Sequence, residues 1–158
     1  MAHNQQQTYK LSEEGLVKLQ GELAELKGPK RDKAVARLAA ARAMGDLAEN
    51  SEYTASREDL NMIDTRAAEI AYILENVEMI NEVKDSSVVQ IGDRVKVEVK
   101  DGHEEFAIVG ELESDIMAGK ISDTSPIGKA LLGAKVGTTV TVTIPAGEVI
   151  YKVVEIKK

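Results

Sequence analysis

The sequence predicts an α+β protein, an N-terminal antiparallel α-helical coiled-coil hairpin followed by a C-terminal β-rich domain. Three observations carry this. Apolar residues recur at alternating spacings of three and four between Leu16 and Val77, the period changes to two beyond Asp85-Ser86-Ser87, and turn residues gather in that second region. The division falls at residues 1–85 and 86–158.

The first helix is expected from about Ser12 to Met44. Ser12 with Glu13 and Glu14 is a helix start, and Leu16, Leu19, Leu23 and Leu26 form a narrow seam. Gly28-Pro29 breaks or kinks it, because proline lacks an N–H and disfavours helical geometry in the residue before it. The pattern resumes through Val35, Leu38 and an alanine-rich stretch, with Gly45 placed as a C-terminal cap. The return helix carries Leu60, Ile63, Ala67, Ile70, Leu74 and Val77 at strict coiled-coil spacing. Two such helices joined by a few residues pair antiparallel, and some 33 helical residues give an arm on the order of 50 Å.

In the second region the alternating runs are Val89 to Val99, Phe106 to Val109, Val140 to Ile144 and Val149 to Val154. Gly92-Asp93, Asp101-Gly102, Gly137 and Pro145-Ala146-Gly147 supply turns. Ser125-Pro126-Ile127 through Gly133 is a capped short helix. The Gln5-Gln6-Gln7 tract is read as a floppy start.

Composition excludes several chemistries. There is no cysteine, and His3 and His103 are the two histidines, which removes disulfides, thiolate metal sites and cysteine nucleophiles and leaves carboxylates for any metal chemistry. Four tyrosines and one phenylalanine are too few for base-stacking platforms or aromatic pockets. No apolar run reaches the roughly 18 residues of a membrane helix and no signal core is seen at the N-terminus, so a cytoplasmic protein without a membrane partner is expected. The net charge of −7 hides a reversal. Residues 1–45 hold eight Lys/Arg against five Asp/Glu, whereas residues 46–85 hold three against eleven.

That reversal occurs at the turn between the helices, Gly45-Asp46-Leu47-Ala48-Glu49-Asn50-Ser51-Glu52-Tyr53, where three carboxylates lie within seven residues. Asp46 can cap the next helix with Glu49 completing a capping box, Asn50 can be the cap instead, or the acids can serve a metal. Local chemistry leaves these open. The turn, with Arg57-Glu58 after it, resembles the tip signature of the bacterial transcript-cleavage factors of the Gre family, GreA type. Ser12-Glu13-Glu14-Gly15, Glu22-Leu23 and Leu26-Lys27 resemble that family's first helix. Ser125-Pro126-Ile127, Leu131 to Gly133 and Pro145 to Val149 resemble its C-terminal domain.

The resemblance implies a coiled coil that enters the secondary channel of bacterial RNA polymerase and an FKBP-like domain that docks at the channel rim. It implies a non-enzymatic accessory factor, monomeric when free, that stimulates the polymerase to cut the 3′ end of backtracked RNA so that elongation resumes. Carried over by motif, Asp46 and Glu49 take the catalytic and metal-linked role, helping to hold Mg²⁺ jointly with the polymerase and to orient the attacking water. Glu52 reads instead as a first-turn helix acid. Arg37, Arg42, Arg57 and Tyr53 are the implied contacts to the nascent RNA 3′ end and the tip, with closing of the hairpin seam an equal alternative for Tyr53, and Ser125, Pro126 and Ile127 are the implied docking residues. Ser56, Asp59 and Thr124 depart from the family's usual residues.

Two readings of the basic stretch Lys27, Lys30, Arg31, Lys33, Arg37 and Arg42 compete: attraction to RNA phosphates, or pairing with return-helix acids such as Asp64 and Glu69. Three other functions compete with this one. A prolyl isomerase lacks the aromatic pocket, having only Phe106 and Tyr151 after Ser86. A channel-blocking inhibitor shares the fold and differs only at the tip. A plain structural coiled coil leaves the acidic signature unexplained.

Overall fold

A computed structural model describes residues 7–80 and 87–158. The chain is α+β, with four helices and seven strands among those residues. It divides into two compact units, Leu16–Asn76 and Gln7–Gly15 with Val77–Lys158. The expected boundary at 85 and 86 and most of the Gln5-Gln6-Gln7 tract lie outside the described residues.

Helix α1 (Glu13–Lys27) and helix α2 (Pro29–Ala43) replace the single kinked helix expected. The break is Gly28 (φ −110°, ψ −112°), which leaves the helical region, while Pro29 restarts the helix at the one place where its missing N–H costs nothing. Helix α3 (Ser51–Glu75) returns. Leu26, Ala67 and Ile70 are buried together, with Leu19, Leu23, Ile63 and Leu74 packed around them. This is the predicted seam, but it ends at Leu74, because Val77 has left the helix for a strand.

The contact between α2 and α3 runs in a different register from the one expected. Val35 is 41% exposed, while Ala34 and Ala41 are buried with Leu38 between them. Alanines on one face let two helix backbones approach closely, and on α3 Ser56 is fully buried with its hydroxyl donating to the Tyr53 carbonyl at 3.0 Å. Ranking residues by hydrophobicity selects Val35, whereas packing at close range selects alanine.

In the second unit β1 (Tyr9–Leu11) pairs in parallel with β2 (Val77–Met79), neither of which the sequence reading anticipated. The main sheet contains β3 (Arg94–Val99), β4 (Gly102–Val109), β5 (Lys120–Ser122), β6 (Thr139–Ile144) and β7 (Gly147–Lys157) in the order β5-β4-β3-β7-β6. All pairs are antiparallel except β4 with β5. Two short 3-10 turns, Glu111–Glu113 and Ile116–Ala118, and the strand β5 fill a segment in which no period was visible.

The core of this unit is aliphatic, comprising Val89, Val95, Val97, Ile108, Leu131, Val142 and Val153, with Tyr151 set edge-on to Phe106. Burial of Tyr151 raises its phenol pKa. Val89 is buried yet not part of a strand. Its N–H donates to the Ala134 carbonyl and its carbonyl accepts from Gly133, so its backbone is satisfied by the chain just after helix α4 (Pro126–Leu131).

Candidate functional site: the hairpin tip

Helix α2 ends at Ala43 with Met44 as its C-cap, and the chain turns through two consecutive left-handed residues, Gly45 (φ 72°) and Asp46 (φ 46°). Aspartate is among the few L-residues that occupy this region without large cost. The Glu49 N–H then donates to the Asp46 carbonyl at 3.2 Å, closing a tight turn.

The cap of α3 is Asn50. Its side-chain oxygen accepts the Tyr53 N–H at 3.1 Å, while its amide donates to the Ala41 carbonyl at 2.9 Å. One side chain thus satisfies the start of one helix and the end of the other. The capping-box reading of Asp46 and Glu49 is therefore replaced, and their carboxylates are released from structural duty. Both residues are exposed, and neither side chain has a hydrogen bond or ion pair among the described residues.

The neighbouring acids differ. Arg37 grips Glu52 through two bonds, at 2.7 and 3.1 Å, and also binds Asp59. Hydrogen bonding from Arg37 holds the Glu52 carboxyl below its usual range. Glu52 is thus a first-turn acid tied across the hairpin, as its position suggested. Arg31 binds Asp64 at 2.8 Å, which is one of the two pairings expected. The other is not formed, because Glu69 is held by Arg66, which also grips Glu22 at 2.8 Å.

Tyr53 sits between two cations. The Arg42 guanidinium lies over its ring at 6.0 Å, and hydrogen bonding from Arg42, aided by Arg57, lowers the phenol pKa. Lys27, Lys30 and Lys33 form no ion pair among the described residues, and Lys30 and Lys33 line an open groove of about 650 Å³ floored by Leu26, Ala34, Met62 and Ile63. Cross-hairpin pairing thus accounts for Arg31 and Arg37 but not for the lysines.

The metal-linked expectation meets a chemical limit at the tip. Among the described residues no group of three or more His, Cys, Asp or Glu is arranged to hold a metal ion. Mg²⁺ prefers six oxygens in near-octahedral array and keeps several waters, so two exposed carboxylates fit it only as part of a shared set.

The other expected surface lies at the start of α4. The Ser125 hydroxyl accepts the Gly128 N–H at 3.0 Å and donates to the Ser122 carbonyl at 2.7 Å, and Ile127 is half-buried against the core. Pro126 is exposed at the first helical position, with Thr124, also exposed, hydrogen-bonded to Ser122 beside it. No helix among the described residues is long and apolar enough to cross a membrane.

Comparison with known proteins agrees along the chain. Residues 9–79 match the family described as transcription elongation factor, N-terminal, and residues 84–158 match transcription elongation factor, GreA/GreB, C-term. The chain is 46% identical over 152 residues to the transcription elongation factor GreA of Thermoanaerobacter pseudethanolicus, covering 94% of this chain and 96% of that one. It is 42% identical over 154 residues to its counterpart from Bacillus velezensis, covering 96% and 98%. Among solved structures, GreA factor homolog 1 of Thermus thermophilus is 26% identical with a TM-score of 0.44, covering 96% of this chain and all of that one.

Proposed function

The chain belongs to the GreA/GreB family of transcription elongation factors, and from that membership we propose that it inserts its hairpin tip into the secondary channel of a backtracked bacterial RNA polymerase and stimulates cleavage of the transcript. It is an accessory factor, and the hydrolytic site is the polymerase's own. The observation that carries the reading is the selective release of Asp46 and Glu49: Asn50 does the capping, and arginines engage Glu52, Asp59 and Asp64.

Each part of the tip then has a task. Asp46 and Glu49 would hold Mg²⁺ together with acids of the polymerase, and their carboxylate oxygens orient the attacking water for in-line displacement. A bound Mg²⁺ supplies charge neutralisation at the attacking and leaving oxygens. The left-handed pair Gly45-Asp46 and the Asn50 staple keep the carboxylates on a short, fixed turn. Arg42 and Arg57, converging on Tyr53, attract the phosphates of the RNA 3′ segment, and Arg37 joins them only by exchanging a carboxylate for a phosphate. The exposed Pro126, presented by the Ser125-capped turn with Ile127 behind it, marks the docking face on the second unit.

The test is transcript cleavage in a defined backtracked complex with Asp46→Asn and Glu49→Gln beside the wild type. Wild type is expected to release short 3′ fragments in a Mg²⁺-dependent way, and the two variants to bind equally and release little. Binding without release by the wild type would leave a channel blocker, and the cleavage reading would fail.

A further inference from the structure

The main sheet has two edges, and they are finished differently. At one edge β5 is only three residues long, and Lys120 exchanges both backbone bonds with Asp115, at 2.9 and 2.8 Å, so its outer side is already occupied. At the other edge β6 presents Thr139-Val140-Thr141-Val142-Thr143-Ile144, with neither a charge nor a proline in the strand. Sheet edges are usually blunted by one of these, because a row of unpaired N–H and C=O groups is a template for another strand.

The phase of the ladder shows which groups are unpaired. The Val153 N–H donates to the Thr138 carbonyl at 2.9 Å, and bonding alternates along an antiparallel pair. Val140, Val142 and Ile144 therefore bond to β7, while the backbone groups of Thr139, Thr141 and Thr143 point away from it. Among the described residues those groups have no hydrogen-bond partner, and the three threonines are exposed.

The order of residues on this edge selects its partner. Thr139-Val140-Thr141-Val142-Thr143 reads the same in both directions. Two copies laid antiparallel about Thr141 set Thr139 opposite Thr143, Val140 opposite Val142 and Thr141 opposite itself. Outward backbone groups then meet outward backbone groups at every threonine, and cross-strand threonine pairs are favourable. Shifting the register by two residues loses one of these pairs. Charge agrees with the same register. On the exposed face Lys152 lies beside Thr139 and Glu148 beside Thr143, so the row that begins at Lys152 of one copy ends at Glu148 of the other.

We propose that β6 is a self-complementary edge through which two copies of this chain pair antiparallel about Thr141, joining two five-stranded sheets into one. Because the β5 edge is closed, the assembly stops at two copies. A six-residue edge buries far less than the roughly 1,200 Å² of a stable interface, so association is weak and the chain is monomeric when dilute. The pairing involves the second unit alone and is independent of the tip.

Sedimentation velocity of the full chain from about 10 µM to about 2 mM is the first test. The weight-average mass is expected to rise from that of one chain toward that of two and no further, with a dissociation constant on the order of 0.1–1 mM. Thr141→Lys sets two cations against each other at the centre of the pairing, on an exposed position, and should weaken association about tenfold or more. The chain has no cysteine, so single thiols report the register. Thr141→Cys meets itself at about 5.5 Å between Cα atoms, within disulfide reach. Under a thiol–disulfide buffer it should form a cross-linked dimer at least about tenfold faster than Ile150→Cys, which is exposed on the same face but one strand in from the edge. Thr139→Cys should cross-link when mixed with Thr143→Cys but not alone, because its own copies lie about 13 Å apart.

A wild type that stays monomeric across the whole range overturns the proposal and leaves the edge to a strand of another protein. So does a dimer that Thr141→Lys does not weaken, growth beyond two copies, or a Thr141→Cys that cross-links no faster than Ile150→Cys. If Thr141→Lys does not fold, the thiol variants decide by the same criteria.

Discussion

Replacing Asn50 by alanine separates the two accounts of the tip. The side chain makes a cap bond to the Tyr53 N–H at 3.1 Å and a bond from its amide to the Ala41 carbonyl at 2.9 Å, and its 3.4 Å contact to the Gly45 carbonyl is too long to add much. Loss of an N-cap costs about 1 kcal/mol. Loss of the second bond costs about 0.5–1 kcal/mol rather than more, because the Met44 N–H still reaches the same Ala41 carbonyl at 3.3 Å and keeps it from being orphaned. Asn50→Ala should therefore destabilise the hairpin by about 1.5–2 kcal/mol, and Asn50→Asp, which caps but cannot donate, by roughly half of that. Urea unfolding followed by helical circular dichroism, with amide exchange of the first turn of α3, reads both. Glu49→Ala, whose side chain makes no bond, should stay within about 0.5 kcal/mol of wild type, whereas Asp46→Ala should lose about 1 kcal/mol from alanine's poor fit to the left-handed backbone there and leave amide exchange of the first turn of α3 unchanged. If amide exchange of the first turn of α3 quickens in Asp46→Ala as much as in Asn50→Ala, the cap belongs to Asp46 and the argument for a released carboxylate collapses.

Three further outcomes follow from the same geometry. Glu52 has its pKa lowered by Arg37, so the pairing contributes stability above the ordinary carboxylate pKa that is lost as pH falls through the lower, folded value. Its carboxyl resonance should titrate at lower pH in wild type than in Arg37→Gln, and coincident midpoints would refute the pairing. Leu131→Ala on α4 removes a fully buried core side chain and should cost about 2–5 kcal/mol, whereas Ile150→Ala, 59% exposed on strand β7, should change stability by less than about 0.5 kcal/mol, both read by thermal unfolding. Gly21→Ala on α1 meets nothing within 4 Å and should raise stability by about 0.5–1 kcal/mol, with a loss instead pointing to an unseen contact.

Much of the fold was legible because its signals are local. The leucine spacing of α1 and the α3 seam, the Gly28-Pro29 break and the Ser125-capped helix each place their own backbone hydrogen bonds, and each appears where expected. The short elements were not legible. β1, β2 and β5 are three residues long and owe their existence to a neighbouring strand, so no period could reveal them. Val35 was misassigned to the seam because apolar character alone ranks it above alanine.

The sequence by itself determined that this chain is a helical hairpin joined to a β-rich unit, with a turn signature that marks its family, because periodicity and turn chemistry are properties of consecutive residues. Which acids are free was decided only in three dimensions. Asp46, Glu49 and Glu52 look alike within seven residues, yet Arg37 reaches only Glu52, and that depends on the register in which α2 lies against α3. Likewise Ser12 announces a helix start, but the partner that completes its cap comes from Glu113. Pairing between residues far apart in sequence is set by packing, and packing is where the tip acquires its unpaired carboxylates.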